Sequence, residues 1–412
     1  MTTAQLIVWF AFSLTYLGLA LGKLPGVKMD RASIALLGAI ILLATGVITF
    51  PQAIHSIHFE TIGLLLGMMM IVAVLQRARF FARLAGLASQ LLRSPRQLLM
   101  LVVVFAALLS AILVNDVVCL AMPPLLLQLC RQRDWDPKPH LIALALASNI
   151  GSACTPIGNP QNMLIAEWSH ISFLQFVLKL SVPTLLSLLV TYMLLAWIYR
   201  RQLQMVSSST SYDAITLRPS CHDRLLLKGV LVLLATIAAF LAGLPMATVA
   251  LTAGTFLMID RFSSRYVWNG VDWSLLIMFV GLFIVVGAFE QLIVQPGHWA
   301  DWPTLQRDPV GLLSLASAIL SNLVSNVPAV MLFKPVMLQM PAATQETGWL
   351  ALAMSSTFAG NLTILGSIAN LIVVEMARRQ GVPISFWDYS KVGVPVTILS
   401  IVIGILWLKF GV

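Results

Sequence analysis

Charged side chains are scarce in this sequence of 412 residues, since Asp, Glu, Lys and Arg together make up only 10% of it. Soluble domains carry about 25% charged residues, because a surface that faces water needs them. So few charges cannot cover a globular surface of this size, which excludes a soluble protein. Hydrophobic residues make up 59% of the chain, and its mean hydropathy is +0.92. Lipid is the solvent that suits such a composition.

Several motifs are also missing. The sequence has no GxxxxGK[ST] loop, so it does not hydrolyse ATP by that route. The histidines all fall in loops or near span ends, which argues against a hydrolase with its active site in the membrane. We therefore expect no enzyme activity. We also expect no metal or cofactor site. The net charge of +9 lies in short loops beside apolar segments, so we expect no nucleic-acid partner. No CxxC pair or disulfide framework is formed by the four cysteines, Cys119, Cys130, Cys154 and Cys221.

Long apolar segments are abundant. Runs of about 17–25 apolar residues have the length that spans a hydrocarbon core as a helix. Membrane strands would alternate with a period of two, and no such alternation is found. The predicted fold class is therefore all-α, a polytopic membrane protein in the cell inner membrane. Clear examples of the spans are 32–50, 61–76, 98–114, 173–199 and 273–294.

The chain contains an internal repeat. Four segments recur in the same order at offsets of 208 to 214 residues, and the matches include Asn, Pro, Gln and Glu, which low complexity does not explain. The matched pairs are Gly67 with Gly281, Ser110 with Ser321, Asn115 with Asn326, Thr155 with Thr363, Gly158 with Gly366, Asn162 with Asn370, and Ile171 with Ile384. We interpret the chain as two copies of one membrane unit.

Lys and Arg positions predict the topology, because cytoplasmic loops are rich in both. Basic residues flank the apolar stretch 98–130 on both sides, which predicts a re-entrant hairpin. The first unit then has five crossings plus a hairpin, so the second lies inverted, and both termini are extracytoplasmic. The predicted organisation is a first repeat at 1–200 with hairpin 98–130 and broken helix 141–168, a cytoplasmic linker at 201–224, and a second repeat at 225–412 with hairpin 309–340 and broken helix 349–377.

Polar residues inside apolar spans concentrate at four interruptions. A helix broken in mid-membrane exposes N–H groups that attract anions and C=O groups that attract cations, and transporters place substrate at such breaks. The candidate substrate-binding or ion-binding residues are Asn115, Asp116, Ser148, Asn149, Gly151, Ser152, Thr155, Gly158, Asn159, Asn162, Ser325, Asn326, Gly360, Asn361, Thr363, Gly366, Ser367 and Asn370.

Asp116 is the only carboxylate predicted near the middle of the membrane. Burial there costs roughly 2.5–3.5 kcal/mol, so we expect it to couple transport to a proton or an ion. The alternative is a structural hydrogen bond that caps the adjacent hairpin helix. Thiols bind soft ions such as trivalent arsenic, but buried cysteines more often fill space, and both readings stay open for Cys119 and Cys154.

Three motifs resemble the ion transporter superfamily: 114–117 (VNDV), 149–160 (NIG followed by TPIGNP) and 360–367 (GNLT followed by GS). This superfamily includes the ArsB arsenite pumps, the citrate-transporter-like permeases, the NhaD sodium/proton antiporters and the dicarboxylate/sodium symporters. The resemblance covers nearly the whole chain. It implies two inverted repeats around one substrate site, elevator-like movement of the hairpin-bearing part, and a homodimer. The Asn-Asp tip is closer to ArsB and its anion-permease relatives than to the dicarboxylate symporters.

The leading hypothesis is a secondary active transporter of a small inorganic or organic anion, or of a neutral oxyacid such as arsenite, coupled to H⁺ or Na⁺. The expected partners are this solute and the lipid bilayer. A sodium/proton antiporter is the first alternative, because one Asp and paired Asn residues can bind sodium. A passive channel is the second alternative, and it predicts flux without coupling.

Overall fold

The computed structural model describes residues 2–21, 29–204, 223–260, 263–294 and 308–411. Most of the predicted linker 201–224 lies outside them, as does Cys221. Throughout the described residues the chain is helical, without strands. The helices are α1 (Thr3–Leu21), α2 (Arg31–Ala44), α3 (Phe50–His55), α4 (Phe59–Arg77), α5 (Phe80–Leu91), α6 (Pro95–Leu113), α7 (Asn115–Gln132), α8 (Lys138–Ser152), α9 (Pro160–Ser169), α10 (Phe173–Ile198), α11 (Asp223–Leu241), α12 (Met246–Met258), α13 (Arg265–Asn269), α14 (Trp273–Leu292), α15 (Gly311–Val324), α16 (Asn326–Leu338), α17 (Ala342–Ala359), α18 (Ile368–Arg379) and α19 (Phe386–Phe410).

Seven of the described helices are long and apolar enough to cross a membrane. They are α1, α4, α6, α10, α11, α14 and α19. Large aliphatic side chains on their outer faces are more than half exposed, including Leu17, Leu178 and Leu185. Such faces are stable in hydrocarbon but not in water. The prediction of an all-α polytopic membrane protein is confirmed.

Several of the described helices are too short to cross a membrane alone, α2 and α12 among them. Helix α2 has 14 residues and α12 has 13, which gives each a length of about 20 Å against a hydrocarbon core of about 30 Å. The predicted span 32–50 is therefore too long. The chain leaves α2 at Ala44, turns at Gly46 with φ +69°, and restarts as α3 behind a capping box on Thr49.

The basic segment between α4 and α6 is also more ordered than the sequence indicated. The charge pattern placed the basic residues in short loops, but residues Phe80–Leu91 form helix α5. Phe81 packs into the core, while Arg83 pairs with Asp223 at the start of α11. The charge pattern did not indicate this amphipathic helix, because basic residues occur both in cytoplasmic loops and on surface helices.

The two halves pack on each other through matching contacts. Helix α4 packs against α12, and α14 packs against α2. A Cβ added to Gly67 would lie 2.3 Å from the carbonyl carbon of Ala250, and one added to Gly281 would lie 2.5 Å from that of Ala35. Gly67 and Gly281 are repeat mates, and Ala35 and Ala250 are related by almost the same offset. In each half, the glycine therefore lets the long helix pack closely on the short helix of the other half. The inversion of the second copy stays a prediction.

Two linked helix pairs and two broken helices fill the centre. Helix α6 meets α7 at Val114, and α15 meets α16 at Ser325. Helices α8 and α9 are separated by residues 153–159, and α17 and α18 by residues 360–367. Every residue of α8 after Lys138 is buried, as is the stretch of α17 from Gly348 to Ala359. The predicted interruptions thus coincide with helix ends in the most buried part of the protein.

Candidate functional site

Each linked helix pair turns at one residue with a backbone conformation that L-amino acids rarely adopt. Val114 has φ 73° and Ser325 has φ 78°, and the two positions are 211 residues apart, as expected for repeat mates. Positive φ is costly for a residue with a Cβ, and such strain concentrates at functional positions. The turn places Asn115 and Asn326 at the first positions of α7 and α16. The backbone N–H of Asn115 donates to the carbonyl oxygen of Gly158 at 3.0 Å.

An asparagine closes each helix break. The Nδ2 of Asn162 donates to the backbone carbonyls of Ser152 at 3.2 Å and Thr155 at 3.1 Å. Asn370 makes the corresponding two bonds, at 2.7 and 3.1 Å, to the residues ten and seven positions before it. A helix that ends in the membrane leaves carbonyl groups without partners, and these amides provide the missing donors.

Glycines allow the chain to fold back at the breaks. A Cβ on Gly158 would lie 2.2 Å from the carbonyl oxygen of Ser152, and one on Gly366 would lie 2.8 Å from that of Gly360. A Cβ on Gly151 would lie 2.3 Å from the backbone of α6. Three predicted site residues therefore serve close backbone approach, which only glycine permits without displacement.

Asn149 joins the two broken helices. Its Nδ2 donates to Oδ1 of Asn361 at 2.9 Å and of Asn370 at 3.0 Å. Its Oδ1 accepts from Nδ2 of Asn115 at 3.0 Å and from the hydroxyl of Ser367 at 3.2 Å. One buried amide thus links α8 to the break between α17 and α18 and to the tip at 114. Satisfied networks of this kind rigidify the place where they occur.

A second link lies at the start of α9. Asn159 caps this helix by accepting from the backbone N–H of Asn162 at 2.9 Å. Its Nδ2 and the Nε2 of Gln161 each donate to the hydroxyl of Thr357 at 3.2 Å. The two breaks are therefore held together from both sides.

Serine pairs fasten the outer helices to the broken ones. The hydroxyls of Ser110 and Ser148 lie 2.7 Å apart, and those of Ser317 and Ser355 form the corresponding pair 207 residues later. Thr155 donates to the carbonyl oxygen of Ala111 at 2.5 Å. These bonds tie α6 to α8 and α15 to α17.

A small cavity of about 40 Å³ lies between the two tips. It opens into a wider vestibule of about 590 Å³, and Leu19, Arg31, Leu275, Met278, Ser325 and Ile368 line both. The remaining residues of the inner cavity are Asn115, Asp116, Pro160, Gln161, Asn326, Val327, Pro328 and Ser367. The vestibule leads to the ends where α2 and α14 begin, which is the side predicted to be cytoplasmic.

Four helices begin at this cavity. They are α7 at Asn115, α9 at Pro160, α16 at Asn326 and α18 at Ile368. The start of each helix carries a partial positive charge and N–H groups without intrahelical partners, although Pro160 contributes no N–H itself. Convergence of helix starts favours an anion or the oxygen atoms of a polar solute.

Charged residues are few around the cavity and its vestibule. Among the described residues that line the inner cavity, Arg31 is the one cation and Asp116 the one carboxylate. Asp30 and Asp272 lie at the vestibule, where each accepts a hydrogen bond from the first turn of the helix that it caps. Hydrogen bonding to Ser33 holds the pKa of Asp30 below its usual range, so this carboxylate stays charged near neutral pH.

Of the predicted residues, Asn115, Asp116, Ser325, Asn326 and Ser367 line the inner cavity. The others lie in or beside the breaks and hold them in shape: Ser148, Asn149, Gly151, Ser152, Thr155, Gly158, Asn159, Asn162, Gly360, Asn361, Thr363, Gly366 and Asn370. Neither Cys119 nor Cys154 lines the cavity. Arg31 and Gln161 also line the inner cavity and were not among the predicted site residues. The position of Gln161 directly after Asn159-Pro160 is a signal that could have identified it.

A second polar cavity of about 270 Å³ lies towards the other end of α14. Lys334 on α16 lies there 3.4 Å from Glu290 on α14, and its Nζ lies 5.2 Å from the ring centre of Trp168. His58 packs edge-on against Trp168, and burial together with the charge of Lys334 lowers the pKa of this histidine. Polar space is therefore present at two places along α16, at its start near Asn326 and around Lys334.

The all-helical fold with apolar spans and a polar cavity among helix breaks defines a polytopic membrane protein with an internal polar site. The chain belongs to the citrate transporter family, whose model matches residues 7–359. This family lies within the superfamily that the motifs resemble, and its members are transporters and not enzymes. The chain is 33% identical over 408 residues to a 46 kDa membrane protein of Mycobacterium leprae, covering 93% of this chain and 95% of that protein. It is 30% identical over 463 residues to the silicon efflux transporter LSI3 of Oryza sativa subsp. japonica, covering 96% of each.

The fold is similar to a solved transporter structure. The YdaH transporter of Alcanivorax borkumensis aligns over 100% of this chain and 99% of its own, with a TM-score of 0.61 and 17% identity. At this identity the likeness shows the fold alone.

Proposed function

We propose that this protein is a secondary active transporter that binds a small anion or oxyacid in the cavity between Val114 and Ser325. The observation that carries the proposal is the convergence of four helix starts on that cavity. Each contributes roughly half a positive elementary charge at its first turn, where the unpaired N–H groups point towards the cavity. Arg31 adds a full charge and up to five N–H donors.

The size of the cavity favours a compact solute. A volume of about 40 Å³ holds roughly three water molecules, which suits a molecule with three or four oxygen atoms around one centre. The family model carries the name of citrate, and the rice relative is a silicon efflux transporter. Arsenite, silicic acid and inorganic oxyanions fit the inner cavity in this conformation, whereas a tricarboxylate also needs the vestibule.

Asp116 supports coupling to a proton. Its carboxylate lies in the first turn of α7, where the helix start favours a negative charge. A substrate anion bound among the same helix starts competes with that charge. Protonation of Asp116 relieves the repulsion, so we propose that anion and proton occupy the site together.

A sodium/proton antiporter is the second candidate, and one observation favours it. The side-chain oxygens of Asn115 and Asn326 are buried and have no hydrogen-bond partner among the described residues. Two amide oxygens beside the Asp116 carboxylate are ligands that a sodium ion accepts. The same arrangement serves sodium as the coupling ion of an anion transporter.

The matching contacts of the two halves support the remaining parts of the proposal. Equivalent tips, asparagine closures and serine pairs are what a duplicated and inverted unit produces around a shared substrate site. We propose that the hairpin-bearing part moves as a unit during transport, that the protein is a homodimer in the cell inner membrane, and that both termini are extracytoplasmic.

Transport by purified protein in proteoliposomes tests the proposal. Arsenite, silicic acid, sulfate, citrate, succinate and sodium would each be offered under an imposed proton gradient, an imposed sodium gradient, and no gradient. We expect saturable uptake of at least one oxyacid or anion that a proton or sodium gradient drives uphill. Uptake of sodium alone against protons would establish the antiporter. Flux that no gradient drives uphill would indicate a channel, and no uptake of any of the six would remove the proposal.

A further inference from the structure

A long apolar groove runs along the membrane-facing surface between α6 and α10. It has a volume of about 490 Å³ and lies outside the substrate cavity. Its walls include Met100, Val104 and Leu108 on α6, and Leu185 and Leu189 on α10, each between 48% and 64% exposed. Apolar side chains this exposed at membrane depth face hydrocarbon.

The length of the groove matches one leaflet. Lining residues on α6 extend from Met100 to Ala111, which at 1.5 Å per residue gives about 16 Å. Half of a hydrocarbon core of about 30 Å is about 15 Å. An acyl chain of one leaflet therefore fits the groove from end to end.

Four arginines surround one end of the groove. Arg96 lies one helical turn before Met100 on α6, and Arg200 lies just beyond Ile198, where α10 ends. Arg93 and Arg201 stand beside them, and the short helix at 202–204 contacts α6. All four arginines are exposed, and none forms an ion pair with a carboxylate in the described part of the chain.

The combination of groove and arginines selects the occupant. A neutral lipid would be bound through the apolar walls alone. A lipid with a net negative headgroup is bound more tightly, because the arginines add electrostatic attraction to the contact with the walls. We propose that the groove binds an acyl chain of an anionic glycerophospholipid, whose headgroup phosphate is held by Arg96 and Arg200.

The floor of the groove gives this lipid a connection to the transport machinery. Gly151 and Cys154 line the floor, and both belong to the region where α8 breaks. Thr155, the next residue, donates to Ala111 at the inner end of the groove. The bound acyl chain therefore lies directly against the helix break that supports the substrate cavity.

Native mass spectrometry of the purified full chain tests the proposal. Delipidated protein would be titrated with dioleoyl phosphatidylglycerol or dioleoyl phosphatidylcholine, and bound lipids counted. We expect one phosphatidylglycerol to bind at least about tenfold more tightly than phosphatidylcholine. The Arg96→Gln, Arg200→Gln double variant should lose this preference while still binding lipid. The variant Val104→Trp, which fills the groove, should lose the bound lipid.

Matched variants control for general effects. Leu231→Trp places the same side chain on the exposed face of α11, and Arg265→Gln removes an exposed arginine far from the groove, so both should bind lipid as the wild type does. If Val104→Trp does not fold, Leu189→Trp fills the groove from its other wall. Equal binding of the two lipids by the wild type, or retention of the tight lipid by both tryptophan variants, would overturn the proposal. A shift from dimer to monomer in the groove variants would show instead that a second copy covers the groove.

Discussion

Removal of the Asn149 amide should lower the free energy of unfolding of the protein. The substitution Asn149→Ala deletes four side-chain hydrogen bonds, which join this residue to Asn115, Asn361, Ser367 and Asn370. Hydrogen bonds between side chains in membrane proteins contribute about 0.6 kcal/mol each on average. The four together give about 2.4 kcal/mol, and buried partners left unsatisfied raise the cost to roughly 4 kcal/mol.

Equilibrium unfolding in mixed micelles of mild detergent and dodecyl sulfate measures this cost. We expect the ratio of folded to unfolded protein at a given dodecyl sulfate fraction to fall by a factor between about 50 and 1,000. Asn149→Asp should destabilise as well, because it removes the donor and sets a carboxylate oxygen against the side-chain oxygens of Asn361 and Asn370.

The control is Ser317→Ala, which deletes one buried pair elsewhere in the same core and should cost about 1 kcal/mol or less. If Asn149→Ala is no less stable than Ser317→Ala, Asn149 does not join the two broken helices in the way that we describe.

Four further predictions concern the cavity and the packing around it. Asp116→Asn should fold normally but abolish the dependence of uptake on the coupling gradient, and unchanged proton and sodium dependence would contradict this. Arg31→Gln should raise the half-saturating concentration of an anionic substrate by about tenfold, because a charged hydrogen-bond donor is lost, and an unchanged value would place Arg31 outside the binding site. Gly67→Ala should destabilise by about 1–3 kcal/mol, since its Cβ meets backbone, whereas Gly229→Ala, whose Cβ meets only side-chain atoms of Leu75 and Val74, should cost far less. Ser325→Gly should stabilise by about 1 kcal/mol in the same unfolding assay, because glycine adopts φ 78° without strain, and a loss of stability would show that the serine side chain matters more.

The sequence predicted the helix breaks because their residues are chemically unusual for a membrane. Asn, Gly and Pro inside apolar spans are tolerated only where they close a break or line a cavity, and Asn162 and Asn370 close their breaks through equivalent bonds. The repeat added strength to this inference, since two independent copies carried the same pattern.

The sequence did not show which polar residues face the cavity and which support it. Asn149 and Asn115 have the same side chain, and both lie at predicted interruptions. Asn149 nevertheless hydrogen-bonds to four side chains, whereas Asn115 lines the inner cavity. That difference depends on contacts between residues more than 200 positions apart. Arg31 was missed for a related reason, because it is the first residue of α2 and lines the vestibule beside α14, far from it in sequence.

The short helices show a further limit of span prediction. Hydropathy alone extends α2 to residue 50, because Gly46 and Thr49 are compatible with an apolar window. The backbone conformation of Gly46 and the capping box at Thr49 end one helix and begin another. Turn and cap signals would have divided this span correctly.

A structure determined by electron cryo-microscopy with the transported solute bound tests the central claim most directly. The protein would be prepared in nanodiscs with saturating solute, chosen from the proteoliposome panel, and compared with a sample that lacks it. Our account predicts solute density between Val114 and Ser325, with oxygen atoms within hydrogen-bonding distance of the starts of α7 and α16 and of Arg31. Density at another place, or an anion that binds without contacting any of the four helix starts, would contradict it.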